Sequence, residues 1–147
     1  MARKHAVLSA SSAARWVACP PSARLNAEKS DTPSEYAAQG TDAHTLCEYK
    51  LCKALGERVR DPTKNLASYD TEMEECAEAY CQFVMELVGQ FRDESKDTMV
   101  SVEQRVDFSD FVPDGFGTAD TLIISGTTVC IVDYKHGKGI EVSADHT

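Results

Sequence analysis

Residues 119–135, ADTLIISGTTVCIVDYK, decide how this chain is read. Two apolar runs, 119–124 and 128–134, flank a tight connection in which Gly126-Thr127 forms a two-residue loop, with glycine first as a type II′ hairpin prefers. That loop places Asp120 directly opposite Asp133. Sliding the turn back to Ser125-Gly126 moves the pairing by two residues and keeps the acidic groups on a shared face. Side chains alternate along a strand, so Asp133 and Lys135 emerge on one side, next to Asp120. Like charges across a ladder, with Cβ atoms about 5 Å apart, repel unless something positive lies between them. Hard carboxylate oxygens suit Mg²⁺ or Mn²⁺, and Lys135 adds a point charge able to orient water or steady a phosphate. A plain Asp–Lys ion-pair cluster at a strand end is the simpler alternative.

Upstream, from about residue 99, Val100, Val102 and Val106 alternate with Ser101, Glu103 and Arg105, the period of a further strand. Pro113, Gly115 and Gly117 punctuate the link to the hairpin. Before residue 99 the pattern is helical. Thr71-x-x-Glu74 forms a capping box, and Met73, Ala77, Tyr80, Val84, Leu87, Val88 and Phe91 make one apolar stripe. The opposite face, with Glu72, Glu75, Glu78, Glu86 and Asp93, reads as a solvated surface. An earlier helix opens at Gly40-Thr41, carries Ala43, Cys47, Leu51, Ala54 and Leu55 at helical spacing, and stops at Gly56. Its His44 and Glu48 are spaced i,i+4 and project from one face. Imidazole is the commonest side-chain metal ligand, although each residue alone is an ordinary surface group. Residues 9–18 suggest a short helix halted by Cys19-Pro20-Pro21, and 26–39 a polar connector.

The whole chain has 147 residues, a formal charge of −9 and 42% hydrophobic residues, the profile of one folded domain. The acidic balance argues against broad electrostatic coating of nucleic acid but permits a local site where metal neutralises carboxylate and phosphate together. Arg15, Arg24, Lys135 and Lys138 are the candidates for phosphate contacts. No apolar run approaches the roughly 18 residues of a membrane span, and the first residues lack a signal-peptide core, so a cytoplasmic protein with no membrane partner is expected. The six cysteines contain no C-x-x-C pair and read as reduced, buried thiols.

In order along the chain, Gly40-Thr41-x-x-His44-x-x-x-Glu48, Gly117-Thr118-Ala119-Asp120 and Ile131-Val132-Asp133-Tyr134-Lys135 resemble the motifs of the PD-(D/E)XK nuclease superfamily, RecB-like branch, the group that includes phage and CRISPR-associated exonucleases. The resemblance implies an α+β fold with N-terminal helices on an antiparallel sheet, a restriction-endonuclease-like core. It divides the single domain, 1–147, into a mainly helical part at 8–98 and a β-part at 99–135. It further implies Asp120, Asp133 and Lys135 as catalytic residues, and His44, Asp120, Asp133 and the Tyr134 backbone carbonyl around Mg²⁺ or Mn²⁺. Glu48 and Glu103 are remoter candidates. The implied activity is metal-dependent hydrolysis of DNA phosphodiester bonds by water, in phage DNA processing or recombination within the bacterial host cytoplasm.

The chain departs from the family after Lys135. The helix and strand that complete the family core have no counterpart in the twelve residues that follow, and no cysteine after Cys130 is available for an iron–sulfur cluster, so none is expected. The continuous apolar run Val129–Val132 suggests a strand covered on both faces, and hence a truncated gene product, a fragment, or a subunit that a second chain completes. The competing reading is therefore a catalytically inactive, nuclease-like remnant or subunit that binds a partner chain or DNA. A third, a regulatory helical protein with an accidental hairpin, requires His44 to lie far from the hairpin carboxylates.

Overall fold

A computed structural model describes residues 6–27 and 34–137. They form an α+β fold with four helices, α1 (Ala13–Ala18), α2 (Pro21–Ala27), α3 (Glu35–Ala54) and α4 (Thr71–Glu94), and three strands, β1 (Met99–Asp107), β2 (Phe116–Ser125) and β3 (Thr128–Val132). The strands make an antiparallel sheet in the order β1-β2-β3. The described residues fall into two compact units, one comprising 34–104 and 119–137, the other 6–27 and 105–118. No helix among the described residues is long and apolar enough to cross a membrane.

The larger unit holds the core. The α4 stripe folds as its periodicity requires, burying Met73, Ala77, Tyr80, Val84 and Val88, with Leu87 and Phe91 partly covered at its margin. The helix begins one residue earlier than the capping-box reading suggests. Asp70 occupies the cap and its carboxylate accepts from the Met73 N–H at 2.8 Å. Against α4 pack Ala43, Leu46, Cys47 and Leu51 of α3. That helix also starts earlier than the Gly40 expected from sequence, because the Ser34 hydroxyl caps the Ala37 N–H at 3.1 Å and Glu35 complements the dipole in the first turn. Gly40 is then merely an interior position facing open space. Lys50 of α3 crosses to Glu74 and Glu78 of α4, 2.7 Å from each, so Glu78 is not simply solvated.

The hairpin register is the one its turn dictates. Thr121 pairs with Val132, Ile123 with Cys130 and Ser125 with Thr128. Of the two loop residues Gly126 takes the positive φ, at 56°, as a type II′ turn demands. On β2 the odd-numbered residues Ala119, Thr121, Ile123 and Ser125 are buried. The two polar members are satisfied: Thr121 Oγ1 meets the Tyr80 hydroxyl at 2.7 Å, and Ser125 Oγ meets Thr98 Oγ1 at 2.9 Å. On β3 only Cys130 and Val132 pack on the core. Val129 and Ile131 remain 61% and 59% exposed, so the run is covered on one face rather than on both.

In the smaller unit the paired prolines end α1, but Pro21 also opens α2, where its fixed φ suits the first turn of a helix. The 26–39 stretch is thus helical at both described ends rather than a connector throughout. Between β1 and β2 the loop closes with the Phe108 N–H donating to the Gly115 carbonyl at 3.0 Å. A Cβ on Gly115 would lie 2.6 Å from the Phe108 ring and 2.7 Å from the Val112 carbonyl oxygen. Only glycine fits there. Gly115→Ala is expected to destabilise the protein by about 1–3 kcal/mol, the usual cost of forcing atoms into a filled site, as measured by urea denaturation.

Candidate metal centre

Three elements of the larger unit deliver one side chain each to a common point. His44 stands on α3 between the buried Ala43 and the buried pair Leu46 and Cys47, so its position around the helix is set by the core on either side. Asp120 lies on β2 between the buried Ala119 and Thr121. Glu103 comes from β1, and its backbone is left-handed, φ 49°, a conformation that non-glycine residues seldom adopt. That local reversal interrupts the strand's alternation just after Val102, which packs on the core. Ligand atoms of His44, Glu103 and Asp120 all lie within 4.8 Å of one another.

Asp120 divides its carboxylate between two partners. Oδ1 lies 3.3 Å from His44 Nδ1, and Oδ2 accepts the Tyr134 backbone N–H at 2.6 Å. Its side chain is only 14% exposed. The β2–β3 ladder ends at Thr121 and Val132, one step before Asp120 and Asp133 would face each other. Beyond that step an Asp120 side-chain oxygen, rather than a backbone carbonyl, takes the Tyr134 N–H. Asp133 instead holds Lys135, Oδ2 to Nζ 2.6 Å, with both side chains about half exposed. The expected group is therefore redistributed: His44 and Asp120 meet, Glu103 joins them, and Asp133 and Lys135 form an adjacent ion pair outside the cluster. Glu48 is exposed and stands outside it too, close enough for its charge to act on Glu103. The main-chain group of Tyr134 in this network is its N–H.

The electrostatics follow the geometry. The Asp120 hydrogen bond holds the His44 pKa above its ordinary 6.5, against the opposing effect of burial, and the charges of Asp120, Glu103 and Asp133 add to the rise. Burial alone would lift Asp120, but the His44 contact and the Tyr134 N–H outweigh it and leave the pKa below the ordinary 3.8. Glu103, although exposed, moves the other way, raised by partial desolvation of its carboxylate and by the neighbouring Asp120 and Glu48 carboxylates. Two carboxylates beside one imidazole leave the cluster with an excess of acidic groups. A divalent cation would offset it. Adjacent ligands of an octahedral cation stand about 3 Å apart and opposite ones about 4 Å, the scale of the 3.3 Å His44–Asp120 contact and of the 4.8 Å within which Glu103 joins them. The donor set, one imidazole and two carboxylates, is one that could hold a divalent cation.

A separate groove on the α3–α4 face, lined in part by Tyr49, Lys50, Lys53, Tyr69, Glu74 and Glu78, includes none of these residues. Its Lys50 is already neutralised by the two glutamates.

Glu103 was the least legible member. Its place in an alternating strand suggests a solvent-facing charge, and nothing in the local sequence announces a left-handed backbone at a glutamate. In the metal-free protein His44 is expected to titrate above 6.5, and Asp120→Asn to bring its midpoint down, as followed by the imidazole resonances in NMR. Because the folded-state pKa is raised, the stability linked to His44 is fully present below 6.5 and is lost as pH rises through the folded value. For Asp120, with its pKa lowered, the linked stability is present above 3.8 and lost as pH falls through the folded value.

No solved structure matches the chain. Residues 5–147 match the family described as "Protein of unknown function (DUF2800)", and the chain belongs to that family.

Proposed function

We propose that this protein is a metal-dependent nuclease that hydrolyses DNA phosphodiester bonds, with His44, Glu103 and Asp120 holding Mg²⁺ or Mn²⁺ and with Asp133 and Lys135 beside them. The observation that carries the reading is the convergence of His44, Glu103 and Asp120 from a helix and two strands, with ligand atoms within 4.8 Å. Supporting it are the ordered motifs that resemble the RecB-like branch of the PD-(D/E)XK nucleases. The regulatory-protein reading loses its requirement, since His44 lies 3.3 Å from Asp120.

Each residue has a definable task. Asp120 and His44 orient one another, and Glu103 adds the second carboxylate. Bound there, the cation would act as a Lewis acid toward a phosphate oxygen and lower the pKa of a coordinated water. Lys135 is close enough for its charge to act on Asp120 and is held by Asp133. Its exposed ammonium is suited to stabilising charge that accumulates on phosphoryl oxygens. Asp133 keeps that ammonium close while its own charge reaches His44. DNA processing or recombination in phage is the setting the motif resemblance favours.

The second reading, an inactive nuclease-like subunit that binds a partner chain or DNA, draws on the exposed Val129 and Ile131 of β3. Its discriminator is catalysis itself. Linear single- and double-stranded DNA incubated with the protein and Mn²⁺ should be cleaved, and Asp120→Ala and Lys135→Ala should each reduce the rate by at least about 10²-fold, the scale for loss of a charge-stabilising group. Chelation by EDTA should abolish cleavage and added Mn²⁺ restore it. Equal cleavage by Lys135→Ala would assign the activity to a contaminant, and metal binding without cleavage would favour the subunit reading.

A further inference from the structure

Tyr134 occupies the x position of the Asp133-x-Lys135 motif, just past the end of β3, and its side chain turns to the face that packs on the core. On that face its ring meets two others edge-on. The His44 ring centroid is 5.5 Å away at an interplanar angle of 79°, and the Tyr80 centroid 5.2 Å away at 61°. Such contacts are favourable and directional, since the positive rim of one ring meets the negative face of the other. The same residue's backbone N–H holds Asp120 Oδ2. One residue therefore touches both members of the His44–Asp120 pair, one through its ring and one through its main chain.

The ring is itself braced. Tyr80 is buried on α4 and its hydroxyl is fixed to Thr121 Oγ1 at 2.7 Å. Thr121 is fully buried, follows Asp120 in the chain and pairs in the ladder with Val132, two residues before Tyr134. The path from Asp120 through Thr121, Tyr80, Tyr134 and His44 returns to Asp120 as a closed circuit. On its outer side the Tyr134 hydroxyl lies 3.1 Å from His136 Nδ1, with the two rings stacked at 26°.

We propose that Tyr134 is a positioning residue: its ring, braced by Tyr80 and Thr121, locks the His44 imidazole against Asp120 and so presets the metal-binding geometry. The inference rests on the metal-site reading above and adds to it a specific aromatic brace. An imidazole without such a neighbour turns about its Cβ–Cγ bond and must be ordered when metal arrives. Groups that orient a metal-ligating histidine characteristically contribute 10–100-fold in metal affinity.

The test uses the full chain, Mn²⁺ as the probe, calorimetry for affinity and NMR of the His44 imidazole and Tyr134 amide for geometry. Tyr134→Leu removes the ring and is expected to weaken Mn²⁺ binding by about tenfold or more, while Tyr134→Phe, which keeps the ring and loses only the hydroxyl, should stay within about twofold of wild type. Without metal, wild type should show one His44 environment and a Tyr134 amide shifted by its short bond to Asp120. Tyr134→Leu should split or broaden the His44 signals, and Tyr134→Phe should restore them. Wild-type Mn²⁺ affinity and unchanged His44 signals in a folded Tyr134→Leu protein would overturn the proposal. If that variant does not fold, Tyr80→Phe decides: it keeps the ring and breaks the Thr121 bond, so a smaller affinity loss with His44 broadening supports the brace, and no change in either overturns it. Failure of wild type to bind Mn²⁺ would defeat the metal reading, and the metal-free NMR comparison would still decide whether Tyr134 orders His44.

Discussion

The Asp120 carboxylate is committed at both ends. One oxygen faces an imidazole carried by a helix, and the other takes a backbone N–H from the strand end beyond Val132. Burial opposes charge at this position, yet the two contacts together keep the acid ionised. A buried carboxylate in this state demands compensation, and every nearby feature can be seen as supplying it or adding to the demand: the raised pKa of His44, the Tyr134 N–H, and the excess of negative charge when Glu103 is added.

That arrangement depends on two parts of the core. Cross-packing of α3 on α4 decides where His44 stands, through the buried Ala43, Leu46 and Cys47 that flank it. The hairpin decides where Asp120 stands, through the odd-numbered row of β2 that includes the fully buried Thr121 and Ile123. Tyr80 joins the parts, lying on α4 and bonding to β2. Because buried hydroxyls are expensive to leave unpaired, the Tyr80–Thr121 bond specifies how the helix and strand register against each other as well as adding to stability. The aromatic group above it is then presented to His44 as a rigid surface.

Local chemistry makes much of this legible in the sequence. The apolar stripe of α4 and the alternation of β2 are periodic patterns that bury the same faces in almost any packing. The Gly126-Thr127 loop has one favoured geometry, and the observed pairing of Ser125 with Thr128 follows from it. The helix starts were less legible. Asp70 and Ser34 cap their helices by side-chain contacts that compete with equally plausible neighbours, and Pro21 both ends one helix and opens the next.

The sequence by itself determined which residues share a strand face or a helix side, because the periods of strand and helix are local properties of the backbone. It thereby placed His44 on the first long helix and Asp120 on the hairpin as candidates for one site. Which carboxylate joins them was settled only by the tertiary structure. Asp133 stood opposite Asp120 by register, but the ladder stops one pair short, the Asp120 side chain takes the strand's next N–H, and Asp133 turns to Lys135. Glu103 arrives from a different strand through a left-handed backbone step that no local rule anticipates. Convergence of residues from α3, β1 and β2 depends on how those elements pack, and packing is a property of the folded whole.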